Sequence, residues 1–264
     1  MTDLPWFVYM VPAAALALVI GLLVVPKLLR GRRISSGPFR RNAPSNVASA
    51  VQARQLLPGL VQGELLAACV DSLSTGVERS RLASALSDWW NVSTSEQAQS
   101  TLGWLLQEGH RASWPHVLHI VSTEPVANWA ASVYSLPGPV DRDQVQEYLD
   151  HLAETLPALQ EQRVVESEAD LARGIVAWDM GRAIIVARMC YDCKLITESQ
   201  AWEVIAYASA VTSRELSSWE EVARSTIIGR AMWAGAGEKL DELQAMTTRC
   251  LSDPMSPWVT TPFK

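Results

Sequence analysis

The sequence predicts an all-α fold, a single helical domain behind an N-terminal transmembrane helix, and three observations lead there. Apolar residues recur at helical spacing nearly throughout, with no sustained period-2 alternation and no Asn-Gly or Asp-Gly hairpin signal. Ser or Thr followed three residues later by Glu or Gln precedes several apolar runs, the spacing that satisfies free N–H groups at a helix start. Third, residues 6–25, "WFVYMVPAAALALVIGLLVV", are twenty residues without a charge. A helix rising about 1.5 Å per residue needs that length to cross about 30 Å of hydrocarbon.

That run is expected to be a membrane anchor and not a cleaved signal peptide, because "MTDLP" supplies no basic n-region and no small-residue cleavage site follows. Pro12, near one end, is tolerable in a membrane helix. Before the span stands Asp3 and no Lys or Arg; after it come Lys27, Arg30, Arg32, Arg33, Arg40 and Arg41. Basic flanks stay on the cytoplasmic side. The expected arrangement is single-pass in the inner (cytoplasmic) membrane, N-terminus out, domain in the cytoplasm, with Trp6 and Tyr9 near the outer interface. Residues 1–29 are then the anchor, 30–46 ("RGRRISSGPFRRNAPSN") a basic juxtamembrane linker without periodicity, and 47–264 the helical domain.

With 48% apolar and 19% charged residues, the chain is of packed and not disordered composition. Eleven Trp against three Phe favour large anchors of core and interface, each with one N–H to satisfy. Six of the 22 basic and one of the 28 acidic residues fall in residues 1–41, which leaves about −11 for residues 42–264. So acidic a domain speaks against nucleic acid as a partner, since non-specific binding needs clustered positive charge. The basic cluster after the span suits anionic lipid head groups.

Along the domain, helices are predicted at about 47–74, 78–90, 113–121, 125–134, 141–157, 167–191 and 237–250. Three more open on capping pairs: Ser93 with Glu96, Thr197 with Gln200, and Ser218 with Glu221. Gly109 and Gly235 stand where left-handed helix ends are expected. "SLPGPVD", around Pro137 and Pro139, is the main internal break.

The stretch "VAWDMGRAIIVARMC", Val176 to Cys190, raises the one question of chemistry, for it sets Asp179 and Arg182 three residues apart at the head of an apolar run. At that spacing opposite charges share a helix face and attract. "AIIVA" leaves little polar surface on any side, so this helix is expected near the centre of the domain. A buried guanidinium needs acceptors, and stranding one costs about 3–5 kcal/mol. Arg230 stands in a similar setting in "STIIGRAMW". The expectation is a buried polar network of Asp179, Arg182, Glu221 and Arg230 between two helices. The alternative is a ligand-binding pocket of the same residues, reached also by His110, in which two arginines could hold a phosphate or carboxylate. On the network reading, Arg182→Met should destabilise sharply, and making Asp179 and Arg182 apolar together should recover much of the loss.

Other motifs weigh little. "CYDC" places Cys190 and Cys193 at Cys-x-x-Cys spacing, but no second pair or βαβ context accompanies it, and Cys69 and Cys250 stand apart. His116 and His119 share a helical face that His110 could approach, without an HExxH-like arrangement. No Gly-rich phosphate loop or G-x-S-x-G elbow occurs. No metal site, cofactor or catalytic residue is expected. Trp89, Trp90, Trp104, Trp178, Trp202, Trp219 and Trp233 read as helix-to-helix locks or as an aromatic pocket for a peptide or cationic ligand.

The succession "WDMGRAIIVAR" (Trp178 to Arg188), "ITESQAW" (Ile196 to Trp202), "SSWEEVARSTIIGRAMW" (Ser217 to Trp233) and "CLSDPMSPW" (Cys250 to Trp258) resembles the bacterial family called domain of unknown function 1266. "LSDWWNVSTSEQAQSTLGWLLQEGHR" (Leu86 to Arg111) is similar to the same family's early segment, so the resemblance spans roughly residues 86–258. It departs at "YDCKLI", where a helix-ending glycine is expected at the Lys194 position. The resemblance implies no activity. The residues therefore lead to a membrane-anchored protein-interaction module, acting as adaptor, regulator or neutralising partner of another protein. Enzyme or anionic-ligand binder, and structural component of a membrane assembly, are the alternatives. An open concave site at the arginines would favour a ligand; arginines sealed under Trp would favour the network.

Overall fold

The computed structural model describes residues 39–264, and the predicted span at 6–25 lies outside them. No helix among the described residues is long and apolar enough to cross a membrane. Thirteen α-helices are described: α1 (Ala50–Leu56), α2 (Leu60–Leu66), α3 (Arg79–Trp90), α4 (Ser95–Gln107), α5 (Trp114–Thr123), α6 (Trp129–Tyr134), α7 (Arg142–Glu161), α8 (Glu168–Ala172), α9 (Val176–Asp192), α10 (Glu198–Glu215), α11 (Trp219–Ala234), α12 (Glu238–Ser252) and α13 (Pro257–Thr260). The described residues hold no β-strand, as the helical periodicity predicts.

α9 is the hub because it has no polar face. Every residue from Val176 to Cys190 is buried, and α2, α3, α4, α10 and α11 all pack around it. The buried apolar side chains form one continuous cluster. Close approach of α11 depends on Gly229: a Cβ there would stand 2.3 Å from Trp178 Cβ.

Helix ends follow the local chemistry, with several departures from the predicted boundaries. Thr197 caps α10 in a reciprocal box with Gln200, as expected. At α4 the cap is Thr94 with Gln97, not Ser93 with Glu96. Gln97 Oε1 accepts from both Ser93 N and Thr94 N, so one side chain serves both residues that could cap. Ser218 caps α11, but the Glu221 carboxylate accepts from Ser217 N at 2.7 Å and not from the cap residue. The stretch 47–74 is not one helix: Pro58 lacks an N–H, a 3-10 turn (Leu57–Gly59) separates α1 from α2, and Ala67 turns left-handed at φ 57°. The stretch 167–191 divides into α8 and α9, with Gly174 at φ 77° between them. Lys194 takes the left-handed position predicted for glycine, φ 65°, and Leu195 N–H closes the helix end on Cys190 O at 2.9 Å.

Residues 39–46, expected in the linker, pack against the domain. Phe39 is buried beneath the Arg249 guanidinium. Arg40 donates to Ala67 O and Gly76 O, and Asn42 bonds Asp71 and Ser72. The loop 67–78 is fastened from the other side by Arg188, 3% exposed, whose Nε donates to Leu73 O and whose Nη2 donates to Cys69 O and Ser74 O. Asp192 accepts from Thr75 N and Oγ1. At the far end, Trp219 stacks on Trp258 at 5.2 Å, and Trp258 Nε1 donates to Leu57 O, which ties the tail to the first helices.

Candidate functional site

The first turns of α9 face the tight turn after α4. Asp179 is fully buried, 0% exposed, and both its oxygens are engaged. Oδ1 accepts from Arg182 Nη2 at 2.5 Å and from the His110 N–H at 3.3 Å. Oδ2 accepts from the Arg111 N–H at 2.9 Å and from Arg111 Nη1 at 3.4 Å. Two consecutive N–H groups can converge on one carboxylate because residue 109 is glycine, at φ 60° and ψ −167°, where a Cβ would stand 2.2 Å from Asp179 Oδ2. Gly235 has similar angles, φ 65° and ψ −161°. Both glycines thus have the positive φ expected of a left-handed helix end but not its ψ, which lies near 180°; only glycine adopts this region freely.

Arg182 lies against two indoles. Its guanidinium carbon lies 4.5 Å from the Trp178 ring centre and 5.4 Å from that of Trp90, and Nε donates to Trp178 O at 3.3 Å. Nη1 has no acceptor among the described residues, and 8% of the side-chain surface remains open. His110 is held at its backbone by Asp179 and at its ring by Tyr148, whose Oη lies 2.5 Å from Nδ1. Trp104 meets the ring edge-on at 5.1 Å, and the Trp233 ring stands tilted by 45° to it at 6.0 Å. Burial, and then the charge of Arg182, hold the imidazole well below its ordinary 6.5, so it is neutral at pH 7. Burial likewise pushes the Tyr148 hydroxyl above its ordinary range. Trp233 is 40% exposed and also touches Trp178 at 5.8 Å. A neutral imidazole beside a fixed cation is poorly suited to take up a proton.

Of the residues expected in one network, the structure brings Asp179, Arg182 and His110 together. Arg230 reaches only the rim, 5.6 Å from the Trp233 ring, with Nη1 3.4 Å from Gly235 O. Glu221 is elsewhere. It pairs with Arg173 at 3.0 Å, in a surface network where Asp170 binds Arg173 and Arg224, and Arg224 also holds Glu166. The physical reason is position: Glu221 lies in the first turn of α11, and Arg173, just before α9, is the cation it meets. Burial pushes the Asp170 carboxyl up, but hydrogen bonds from Glu166 N, Arg224 and Ser167 N outweigh it and bring the group to about 2.

Arg111 and Tyr148 were not singled out from the sequence. Arg111 follows His110 in the "EGHR" segment, which is a local signal; Tyr148 lies 38 residues from His110 and offers none. Cys190 and Cys193 are buried free thiols, and burial pushes Cys190 up to about 12, which leaves it protonated and unreactive at neutral pH. Among the described residues no group of three or more His, Cys, Asp or Glu could hold a metal ion. His116 and His119 lie on α5, while the His110 ring turns to Tyr148.

No curated protein and no solved structure matches this chain. The family model described as "Protein of unknown function (DUF1266)" matches residues 85–263, a span that includes every residue of the Asp179 cluster, and the chain belongs to that family.

Proposed function

We propose that this protein is a membrane-tethered recognition module that binds a protein partner through the tryptophan-capped cluster at the start of α9. The observation that carries the reading is Trp233: 40% of it is exposed, yet it rests on the buried rings of Trp178 and His110. A large aromatic presented on a rigid, hydrogen-bonded base has the anatomy of an interface anchor, since little side-chain freedom is left to lose on binding. The tether is supported by the uncharged residues 6–25 and the six basic residues that follow, which also favour a domain on the cytoplasmic side.

Affinity capture from native membranes with tagged full-length protein, wild type against Trp233→Ala, tests the reading. The expected result is a stoichiometric protein retained by the wild type and lost from the variant, with the two melting temperatures within a few degrees. Identical capture by both would refute it. Reporter fusions at residues 3 and 264 test the tether: a cytoplasmic reporter should be active only at the C-terminal fusion.

A further inference from the structure

We infer that the face built from residues 39–54 and the tail 254–264 docks on the surface of an anionic lipid bilayer; the inference rests on the membrane tether proposed above. Charge is the first observation. Apart from Asp3, every acidic residue of the chain falls between Glu64 and Asp253, so residues 39–63 and 254–264 hold none, while Arg40, Arg41, Arg54 and Lys264 lie within them. The fold brings these two acid-free stretches together. Arg54 Nη2 donates to Phe263 O at 2.7 Å, and Trp258 Nε1 donates to Leu57 O at 2.8 Å. All four cations are exposed. Of the carboxylates that touch these stretches, Asp71, 3.8 Å from Arg41, is buried, and Asp253 is paired with Arg249.

Apolar exposure in the same stretches is the second observation. Val47, Val51, Met255 and Val259 are four of the nine large apolar side chains left exposed among the described residues, although the two stretches are a small part of the domain. Val51 and Arg54 stand three apart on α1, and so on one face. Exposed apolar side chains among cations suit the boundary between head groups and acyl chains, where anionic lipid attracts each Lys or Arg. Third, the chain enters the domain here. Phe39 lies beneath Arg249, which pairs with Asp253, and Asp253 accepts from the Met255 N–H at 2.9 Å. Thirteen residues, 26–38, separate Phe39 from the predicted span, and they reach at most about 45 Å. The tether therefore keeps this face at high effective concentration beside the head groups. Trp219, at the start of α11, stacks on Trp258 of the tail, and Trp233 stands about 21 Å further along that helix. That is far enough for docking to leave Trp233 free for a partner.

The experiment reconstitutes the full chain in vesicles of phosphatidylglycerol with phosphatidylcholine, and in phosphatidylcholine alone. Cys69, Cys190, Cys193 and Cys250 are buried, so a thiol-reactive fluorophore can be placed on Val51→Cys, on Val259→Cys or, as a control on α6, on Tyr134→Cys. Nitroxide-labelled lipid should quench most of the emission at 51 and 259 in the anionic vesicles, and little of it at 134 or in phosphatidylcholine. Arg41→Gln combined with Lys264→Gln should lower the ratio of docked to free domain by about thirtyfold, roughly fivefold per charge. If that double variant does not fold, the comparison of lipids and label positions still decides. Labels at 51 and 259 quenched no more than the control, in a chain that stays in the vesicles, overturn the inference and spare the tether. Equal quenching in the two lipids overturns it too. Labels hidden from aqueous iodide yet not reached by nitroxide lipid show a protein covering the face, a second copy or a partner, and overturn it as well. A chain that alkaline washing strips from the vesicles refutes the tether itself, and the inference falls with it.

Discussion

α9 buries two arginines less than two turns apart, and they live in different surroundings. Arg188 is 3% exposed and spends its donors on the carbonyls of loop 67–78, with two carboxylates nearby. Arg182 is 6% exposed, holds one carbonyl and half of a shared carboxylate, and sits among indoles with a second arginine opposing it. Burial alone therefore does not separate a fastening from a site. The partners do: Arg188 ties a loop down through its carbonyls, whereas Arg182 shares its one carboxylate with Arg111 and two backbone N–H groups.

The comparison can be broken most forcefully at Asp179. Asp179→Leu strands two arginines and two backbone N–H groups, and should cost about 5 kcal/mol, the upper end for breaking a buried pair. Adding Arg182→Met should recover less than half of that, because Arg111 and the N–H groups of residues 110 and 111 remain unpaired. The rescue expected from the sequence presumed a private pair, and the structure shows a shared one. Denaturant unfolding of the single and double variants measures both. Arg188→Met comes next, at about 3–4 kcal/mol, since it leaves three loop carbonyls without their donor at about 1–3 kcal/mol each. Its mark should be local, with faster amide exchange across residues 67–78. Gly109→Ala should cost about 2–3 kcal/mol from overpacking against Asp179 and from its positive φ. Arg182→Met should cost only about 1–2 kcal/mol, because Asp179 keeps Arg111 and two N–H donors. If Arg182→Met costs as much as Arg188→Met, the two ends do the same job and the distinction falls.

What the sequence made legible was short in range. The Thr197–Gln200 box, the all-helical period and the burial of Val176–Cys190 all follow from residues within a few positions of one another. The Asp179–Arg182 pair is legible for the same reason, as an i, i+3 pair on one helix. Its partners are not: His110 and Arg111 reach it across 69 and 68 residues, and Arg188 finds its carbonyls 114 to 119 residues away. Backbone acceptors carry no side-chain signature at all, so nothing in "WDMGRAIIVAR" tells Arg182 from Arg188. Glu221 was drawn toward Asp179 by its charge and its helix, and only the packing shows that Arg173 meets it first.

The smallest expected effect is a change in the pH dependence of stability, and it isolates the neutral state of His110. A histidine held below 6.5 when folded stabilises fully above that value, and the contribution is lost as pH falls from 6.5 toward the folded pKa. Glu64 acts with the opposite sign. Burial pushes its carboxyl from 4.5 to about 7 despite Arg249 at 3.5 Å, so its contribution is full below 4.5 and is lost as pH rises to about 7. Just below pH 6.5 the two slopes, each at most about 1.4 kcal/mol per pH unit, oppose one another, and the wild type should be nearly flat there on their account. Glu64→Gln should tilt that plateau so that stability rises with pH. His110→Phe should tilt it the other way. A Glu64→Gln variant that stays flat just below pH 6.5 would mean that His110 is protonated within the fold.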